Sequence, residues 1–350
     1  MAVVEQPQTN TTPRAEVASL NQYVKGESLW QDAWKRLRRN KPAILGLAVI
    51  LAWIIIAIMA SSLAPKPFDI QVLADNNAAP RWVIDLFPQM IAKDDGGYVT
   101  VSTNYPLGAD NLGRDLLSRV IYGARVSLAV AFIGPMTALI VGLGVGLLAG
   151  YVGGRVDNAL MRIVDLMYAF PTLLFVILLM TFFRTSFSNP PPGSLAAALG
   201  SLDAGSGGML FIFIGIGLTS WMGMARLARG QVLSVREKEY IEAARALGGK
   251  NRRIVWSHVL PNILGPIIVS ETLTIPSYIS TEAFLSFIGL GVNPPTPSWG
   301  MMIAEGSRSI GSYPHQALFP ALALFSVMFA FNFLGDGLRD ALDPRMRGVD

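Results

Sequence analysis

The sequence predicts an all-α integral membrane protein of six transmembrane helices with N- and C-termini cytoplasmic. Three observations carry this. Hydrophobic residues make up 52% of the 350 and charged residues 15%, against about 25% charged in soluble globular chains. The apolar residues gather in long blocks free of charge, the pattern of a chain whose solvent is lipid. Lys and Arg concentrate on one side of those blocks.

Residues 1–27 are rich in Gln, Thr, Asn and Pro and poor in aromatics, which predicts a disordered cytoplasmic tail. An amphipathic interfacial helix follows over 28–42. Ser28 and Gln31 fit a capping box, and Leu29, Trp30, Ala33, Trp34 and Leu37 form an apolar stripe beside Lys35, Arg36, Arg38 and Arg39. Such a helix suits an anionic lipid surface; a partner-binding face is the other reading. Pro42 then breaks direction ahead of the first transmembrane helix, 43–63.

Five blocks read as spans: Ala43–Leu63, Val126–Gly150, Leu166–Phe183, Met209–Ala225 and Ala317–Gly335. None contains a charge, and each is long enough to cross a hydrocarbon core of about 30 Å. A sixth, Ile263–Val292, is interrupted by Pro266, Glu271, Pro276 and Glu282. The first block lies too far into the chain, and is too long, for a cleavable signal peptide. Placing the N-terminus inside puts 20 of the 28 Lys and Arg in cytoplasmic stretches. Six of the other eight fall in the long external loop 64–125, where the charge rule is weak. Residues 126–335 then form a core domain of five further spans, with 226–262 and 336–350 cytoplasmic.

Within the second span Gly134, Ala138, Gly142, Gly146 and Gly150 recur every four residues on one face, and Gly215, Thr219 and Gly223 repeat the pattern in the fourth. Small residues let helix backbones approach in lipid, where no hydrophobic drive joins them. Gly144, Gly146 and Ala149 also match a dinucleotide fingerprint, but no strand precedes them and a glycine-rich membrane helix produces such matches freely. The chain has no cysteine, and its two histidines, His258 and His315, lie far apart, so no metal site is expected. A phosphate loop is missing too: Gly249-Lys250 is followed by Asn251 and no glycine stands five residues ahead of Gly249. No catalytic residue is assigned, and the net charge of +4 is read as loops held on the cytoplasmic side, with no nucleic-acid partner.

The basic segment between the fourth and fifth spans carries the chief signal, YIEAARALGGKNRRIVWSHVLP over 240–261. Glu237 to Leu247 holds good helix formers, Gly248-Gly249 stops them, and Asn251 to Val259 predicts a second short helix. Two short helices at an angle make a knob. Ala243 and Ala244 are small enough for a partner's backbone to approach, and Gly248 permits φ > 0 at the corner. A β-carbon there costs about 1–2 kcal/mol. Glu242 and Arg245 supply charge.

This segment resembles the EAA loop by which permease subunits of bacterial ATP-binding-cassette (ABC) importers grip their ATPase. Further stretches resemble the C-type subunits of dipeptide and oligopeptide permeases, closest to the oligopeptide branch: YPLGADNLGRDLLSRVIYGARVSL (105–128), GYVGGRVDNALMRIVD (150–165), SFIGLGVNPPTPSWG (286–300) and FNFLGDGLRDALDPRMR (331–347). Tyr105 stands where that family usually has His, and Ala109 where it has Thr. The resemblance implies a type I ABC importer permease fold in a bacterial or archaeal cytoplasmic membrane. It also implies a homologous B-type permease partner, two ABC ATPases that bind ATP and Mg2+, and an extracytoplasmic peptide-binding protein, with no cofactor in this chain. Glu242, Ala243, Ala244, Arg245 and Gly248 become the ATPase-docking residues.

In the fifth span Glu271, Thr274, Tyr278 and Glu282 lie near one helical face. A carboxylate costs about 2.5–3.5 kcal/mol at the bilayer centre, so these residues should meet water or a partner, and a peptide ammonium suits them. Two blander readings stand beside this: Glu282 lies at the external interface, or Pro276 rotates the two halves apart. Related permeases that carry nickel, glutathione or an oligosaccharide share these loops, so the substrate class stays open. A secondary transporter would need inverted repeats, which are not seen, and a membrane receptor or assembly factor would need further domains.

The charge asymmetry predicts that 184–208 and 291–316 are external and 226–262 internal. Single cysteines replacing Ser194 and Ser257 should therefore differ in labelling by an impermeant thiol reagent on intact cells, with the first labelled. Equal labelling would contradict this topology.

Overall fold

The computed structural model describes residues 29–187 and 190–343, with the side chains of Leu29 and Trp30 excepted. The expected tail 1–27, the cap Ser28 and residues 344–350 lie outside the described residues. The main helices are α1 (Leu29–Arg39), α2 (Lys41–Ile58), α3 (Leu116–Val152), α4 (Gly154–Tyr168), α5 (Thr172–Ser186) and α6 (Leu195–Gly205). They continue with α7 (Met209–Arg236), α8 (Glu239–Ala246), α9 (Asn251–Phe287), α10 (Trp299–Ser307) and α11 (His315–Leu342). The chain is all-helical: among the described residues the only β pairing is three isolated bridges.

Five helices, α2, α3, α7, α9 and α11, are long and apolar enough to span a membrane, and α4 with α5 makes a sixth if that bent pair counts as one. The expected straight span Leu166–Phe183 is therefore broken, with a bend of 79° between α4 and α5. Pro171 lies at the break. It has no N–H for the carbonyl four residues back, and its ring crowds that carbonyl and disfavours helix at Phe170.

The other spans outrun their apolar blocks. Asp115 caps α3 by accepting the Ser118 N–H at 2.7 Å, so that helix starts before Val126. A π-turn over Ala138–Gly142 follows Pro135. Asn40 caps α2 through the Ala43 N–H at 3.2 Å, with Pro42 in the first turn where its missing N–H costs nothing. Helix α1, expected at the interface, turns part of its stripe inward: Ala33 and Leu37 pack with Ala43 and Ala341 against the end of α11, while Trp34 stays exposed with the Arg38 guanidinium 4.8 Å from its ring centre.

The glycine stripe on α3 is a line of close approach. A β-carbon at Gly146 would lie 2.6 Å from the Ala225 carbonyl oxygen and 2.9 Å from the Arg229 nitrogen, and one at Gly150 would lie 2.8 Å from Val232 Cβ. Gly142 faces Met224 in the same way, whereas Gly134 faces the Tyr278 ring of α9. The second stripe differs. At Gly215 an added β-carbon would sit 3.5 Å from Val176, an ordinary contact, so glycine is not required there.

The three largest apolar clusters among the described residues fill the bundle. One joins α2, α3, α9, α10 and α11 around Trp299, whose indole donates to the Val120 carbonyl at 2.9 Å. The second joins α3, α5, α7 and α9 around Phe211 and Ile216, and the third joins α3, α7, α8 and α9 around Met224, Ile241 and Ile263.

The segment 64–115 is a folded unit. Val83, Ile84, Met90 and Val99 make a small core that packs on Tyr313 and Phe319. Tyr105 is buried and donates to Asp75 at 2.8 Å; burial first, then this bond, pushes its phenol up to about 12. Asp110 accepts from Arg114 Nε at 2.6 Å and from Arg119 Nη1, and Glu305 of α10 accepts from the same arginines at 3.0 and 2.7 Å. Two cations meet two anions, with the Arg119 side chain 1% exposed, which offsets the cost of burying them.

Removing Asp110 leaves two arginines facing the single carboxylate of Glu305, one buried positive charge in excess. Asp110→Ala should lower the unfolding free energy by about 3–5 kcal/mol and open 64–115 to protease, measured on the full chain in lipid nanodiscs. Unchanged stability and protection would show that the quartet does not hold this unit.

Candidate functional site

The knob begins where α7 ends. Arg236 donates to the Gly150 carbonyl at 2.8 Å, fixing the end of α7 against α3. Deeper in α7, Arg229 grips Asp157 of α4 with two bonds of 2.5 and 2.7 Å. The short α8 is anchored by one side chain, Ile241, fully buried beside Ile254 of α9.

Gly248 has φ +78, the left-handed conformation that its sequence position predicts. The amide of Gly249 donates to the Ala244 carbonyl at 3.0 Å and that of Gly248 to the Arg245 carbonyl at 2.9 Å. This pair of bonds closes a Schellman cap. Space around Gly248 is open, so its constraint is backbone conformation alone, whereas a β-carbon at Gly249 would lie 2.7 Å from the Ala244 oxygen.

The expected second short helix over Asn251–Val259 is not separate. Asn251 opens α9, which runs to Phe287 with a π-turn at Val255–Val259. The knob is one short helix and a glycine corner fused to the span, because nothing after Lys250 interrupts the helical pattern until Pro261, and a proline in the first turn of the next helical stretch is tolerated.

Glu242, Ala243 and Arg245 are exposed and Ala244 is half-buried. The Arg245 guanidinium lies 5.6 Å from the centre of the Tyr151 ring, whose hydroxyl donates to Asn251 Oδ1 at 3.0 Å. Around them stand residues that sequence reasoning missed: Leu247, 89% exposed, Tyr240, 45%, and Trp256, 61%. The signal was present as an isoleucine at 241 and another at 254 among charges, two inward anchors that turn their neighbours out. Leu247, Tyr240 and Trp256 are each a large apolar side chain left open to solvent in a segment rich in charge.

Of the four polar residues in α9, the structure brings two together. Tyr278 donates to Glu271 Oε1 at 2.9 Å, seven residues apart and so on one face. The Tyr278 ring lies against Gly134, where a β-carbon would come within 2.7 Å of Cγ. Thr274 turns its hydroxyl to the Ser270 carbonyl of its own helix at 2.8 Å. Glu282 stands apart, fully buried, accepting from Ser286 at 2.7 Å and Ser127 of α3 at 3.3 Å. Pro276 lies inside the helix between Glu271 and Tyr278 and does not part them.

Comparison with known proteins agrees with this architecture. Residues 142–348 match the model of the binding-protein-dependent transport system inner membrane component, and 28–80 match the N-terminal TM domain of oligopeptide transport permease C. A dipeptide transport system permease protein of Bacillus subtilis is 40% identical over 91% of this chain and 87% of its own. An oligopeptide transport system permease protein of Escherichia coli is 39% identical over 93% and 94%. A glutathione transport system permease protein of Pectobacterium atrosepticum is 34% identical over 91% and 92%. The chain belongs to the family of binding-protein-dependent transport system inner membrane components, alongside the C-type permease subunits of dipeptide and oligopeptide transport systems.

Proposed function

We propose that this chain is the non-catalytic, membrane-spanning half of an ATP-driven importer of short peptides in a bacterial or archaeal cytoplasmic membrane. The observation that carries the reading is the knob of α8 and Gly248, anchored inward by Ile241 and Ile254 and exposing Tyr240, Leu247 and Trp256, in a chain of this family. A homologous B-type permease completes the pore, and two ABC ATPases binding ATP and Mg2+ take the knob in a surface groove. An extracytoplasmic binding protein delivers the peptide.

Coupling needs contacts that differ between two states. Because only the hydrogen-bonded corner Leu247–Lys250 separates α8 from α9, movement of the groove is passed to a span through one short capped turn. Glu271 and Tyr278 form the polar spot in the middle of that span, and a peptide's ammonium end is the proposed guest. Glu282, buried among serines, is assigned to packing. The glutathione permease relative supports a second reading, import of that tripeptide by the same architecture.

Gly248→Val forces a β-branched residue into the left-handed region at a cost of about 1–2 kcal/mol, and Glu242→Lys reverses the charge offered to the groove. Both variants should insert normally but lose ATPase co-purification or peptide-stimulated ATP hydrolysis. Assay of the assembled complex with binding protein and peptide reads this, and full coupling in both variants would remove the docking assignment.

Glu271→Gln should reduce peptide uptake at limiting substrate more than it reduces assembly, since Gln keeps an acceptor for Tyr278 and loses only the charge. Uptake equal to the parent's would take Glu271 out of the pathway. Competition by glutathione against a labelled dipeptide separates the two substrate readings.

A further inference from the structure

A cavity of about 270 Å³ opens between the end of α5, helix α6 and the start of α7. It lies at the end of α7 opposite the knob, about 40 Å away along a 28-residue helix. Its volume is just below the about 300–1,000 Å³ of drug-sized sites, which suits a ligand smaller than those.

One wall is apolar and preformed. Phe183 stacks on Phe211 with ring centres 4.6 Å apart, Phe187 meets Phe211 at 4.9 Å, and Met180 lies beside them. The remaining wall carries two opposite charges, Arg184 and Asp203. Asp203 is 7% exposed and accepts the Phe211 N–H at 3.2 Å. Burial pushes its carboxyl up, against the opposing pull of backbone N–H groups and Arg184. Arg184 donates to the carbonyls of Gly289 and Gly291, which hold its guanidinium in place.

Arg184 and Asp203 feel each other's charge but form no ion pair among the described residues. Two fixed opposite charges that share a cavity without touching leave a gap that costs desolvation on both sides. The packing of the bundle does not use that gap. A ligand with both charges closes it, and an apolar side chain on that ligand meets the phenylalanine wall.

We infer that this cavity binds a small zwitterion with an apolar side chain, its ammonium group on Asp203, its carboxylate toward Arg184 and its side chain against Phe183, Phe187 and Phe211. Nothing in this requires the knob, the polar spot of α9 or a soluble binding protein. A transporter that carries peptide while this cavity stays empty fails only the present inference, and one that fills the cavity yet carries no peptide fails only the importer reading.

The test is calorimetric titration of the full chain, in the assembly in which it purifies, placed in lipid nanodiscs without binding protein. Three probes are used: phenylalanine, phenylalanine amide, which lacks the carboxylate, and 3-phenylpropanoate, which lacks the ammonium. Phenylalanine should bind, and each singly charged analogue about tenfold or more weakly, the loss expected for one charge-assisted hydrogen bond. Asp203→Asn keeps an oxygen for the Phe211 N–H; it should weaken phenylalanine about tenfold and leave 3-phenylpropanoate unchanged. Ala204→Trp, on the cavity wall, should remove binding of phenylalanine by filling the space. Equal binding of the three probes, an Asp203→Asn variant that binds phenylalanine as the parent does, or no binding by a folded assembly would overturn the inference. If Asp203→Asn does not fold, the analogues and Ala204→Trp still decide it.

Discussion

The bundle is arranged around the line where α3 and α7 run almost backbone to backbone. In lipid no hydrophobic drive holds helices together, so attraction comes from dispersion at short range, and its range is set by the β-carbons that are missing. Gly142, Gly146 and Gly150 set it here, with Ala225 and Ala228 opposite. With α7 fixed on one side, α3 turns its other faces to α2, α9 and α10, and the three apolar clusters all include residues from it. A side chain of any size in that line would separate the helix that starts at the unit 64–115 from the helix that ends at the knob.

The spans were legible because a bilayer admits little else than an apolar helix, and the blocks of uncharged residues mark them. Their ends were not. The reading stops at Val126 because Arg119 and Arg125 precede it, yet α3 continues through both. Arg119 is neutralised by Asp110 and Glu305, and Arg125 donates to the Ala57 carbonyl at 2.7 Å. Helix α7 likewise continues past Ala225 because Arg226 and Arg229 find Asp165 and Asp157. Composition counts charges; the fold counts unpaired ones. The break at Pro171 was hidden for the opposite reason, since a proline adds no polarity to an apolar block.

At the knob, Gly248 was legible because a corner between a helix and its successor has few solutions and glycine is the cheapest of them. Its exposed apolar side chains were not, since Tyr240, Leu247 and Trp256 are turned outward only once Ile241 and Ile254 are pinned inside. In α9 the spacing of Glu271 and Tyr278 was enough to place them together, whereas Glu282, about 16 Å farther along the helix from Glu271, meets Ser286 and also Ser127, a residue on another helix that spacing along α9 cannot report.

The fusion of the knob to α9 has a mechanical consequence. A helix of 37 residues is about 55 Å long, so a tilt of about 5° around its knob end carries the far end about 5 Å sideways, roughly the pitch of one helical turn. An ordinary loop at Asn251 would absorb such a tilt. Here the compliance is confined to a π-turn of five residues at the root of the lever, Val255–Val259, and to the two prolines along its shaft, Pro266 and Pro276. The stiffness of the stroke is therefore written into a few positions in α9, and softening the root would shorten the displacement at the tip without altering any surface the lever touches.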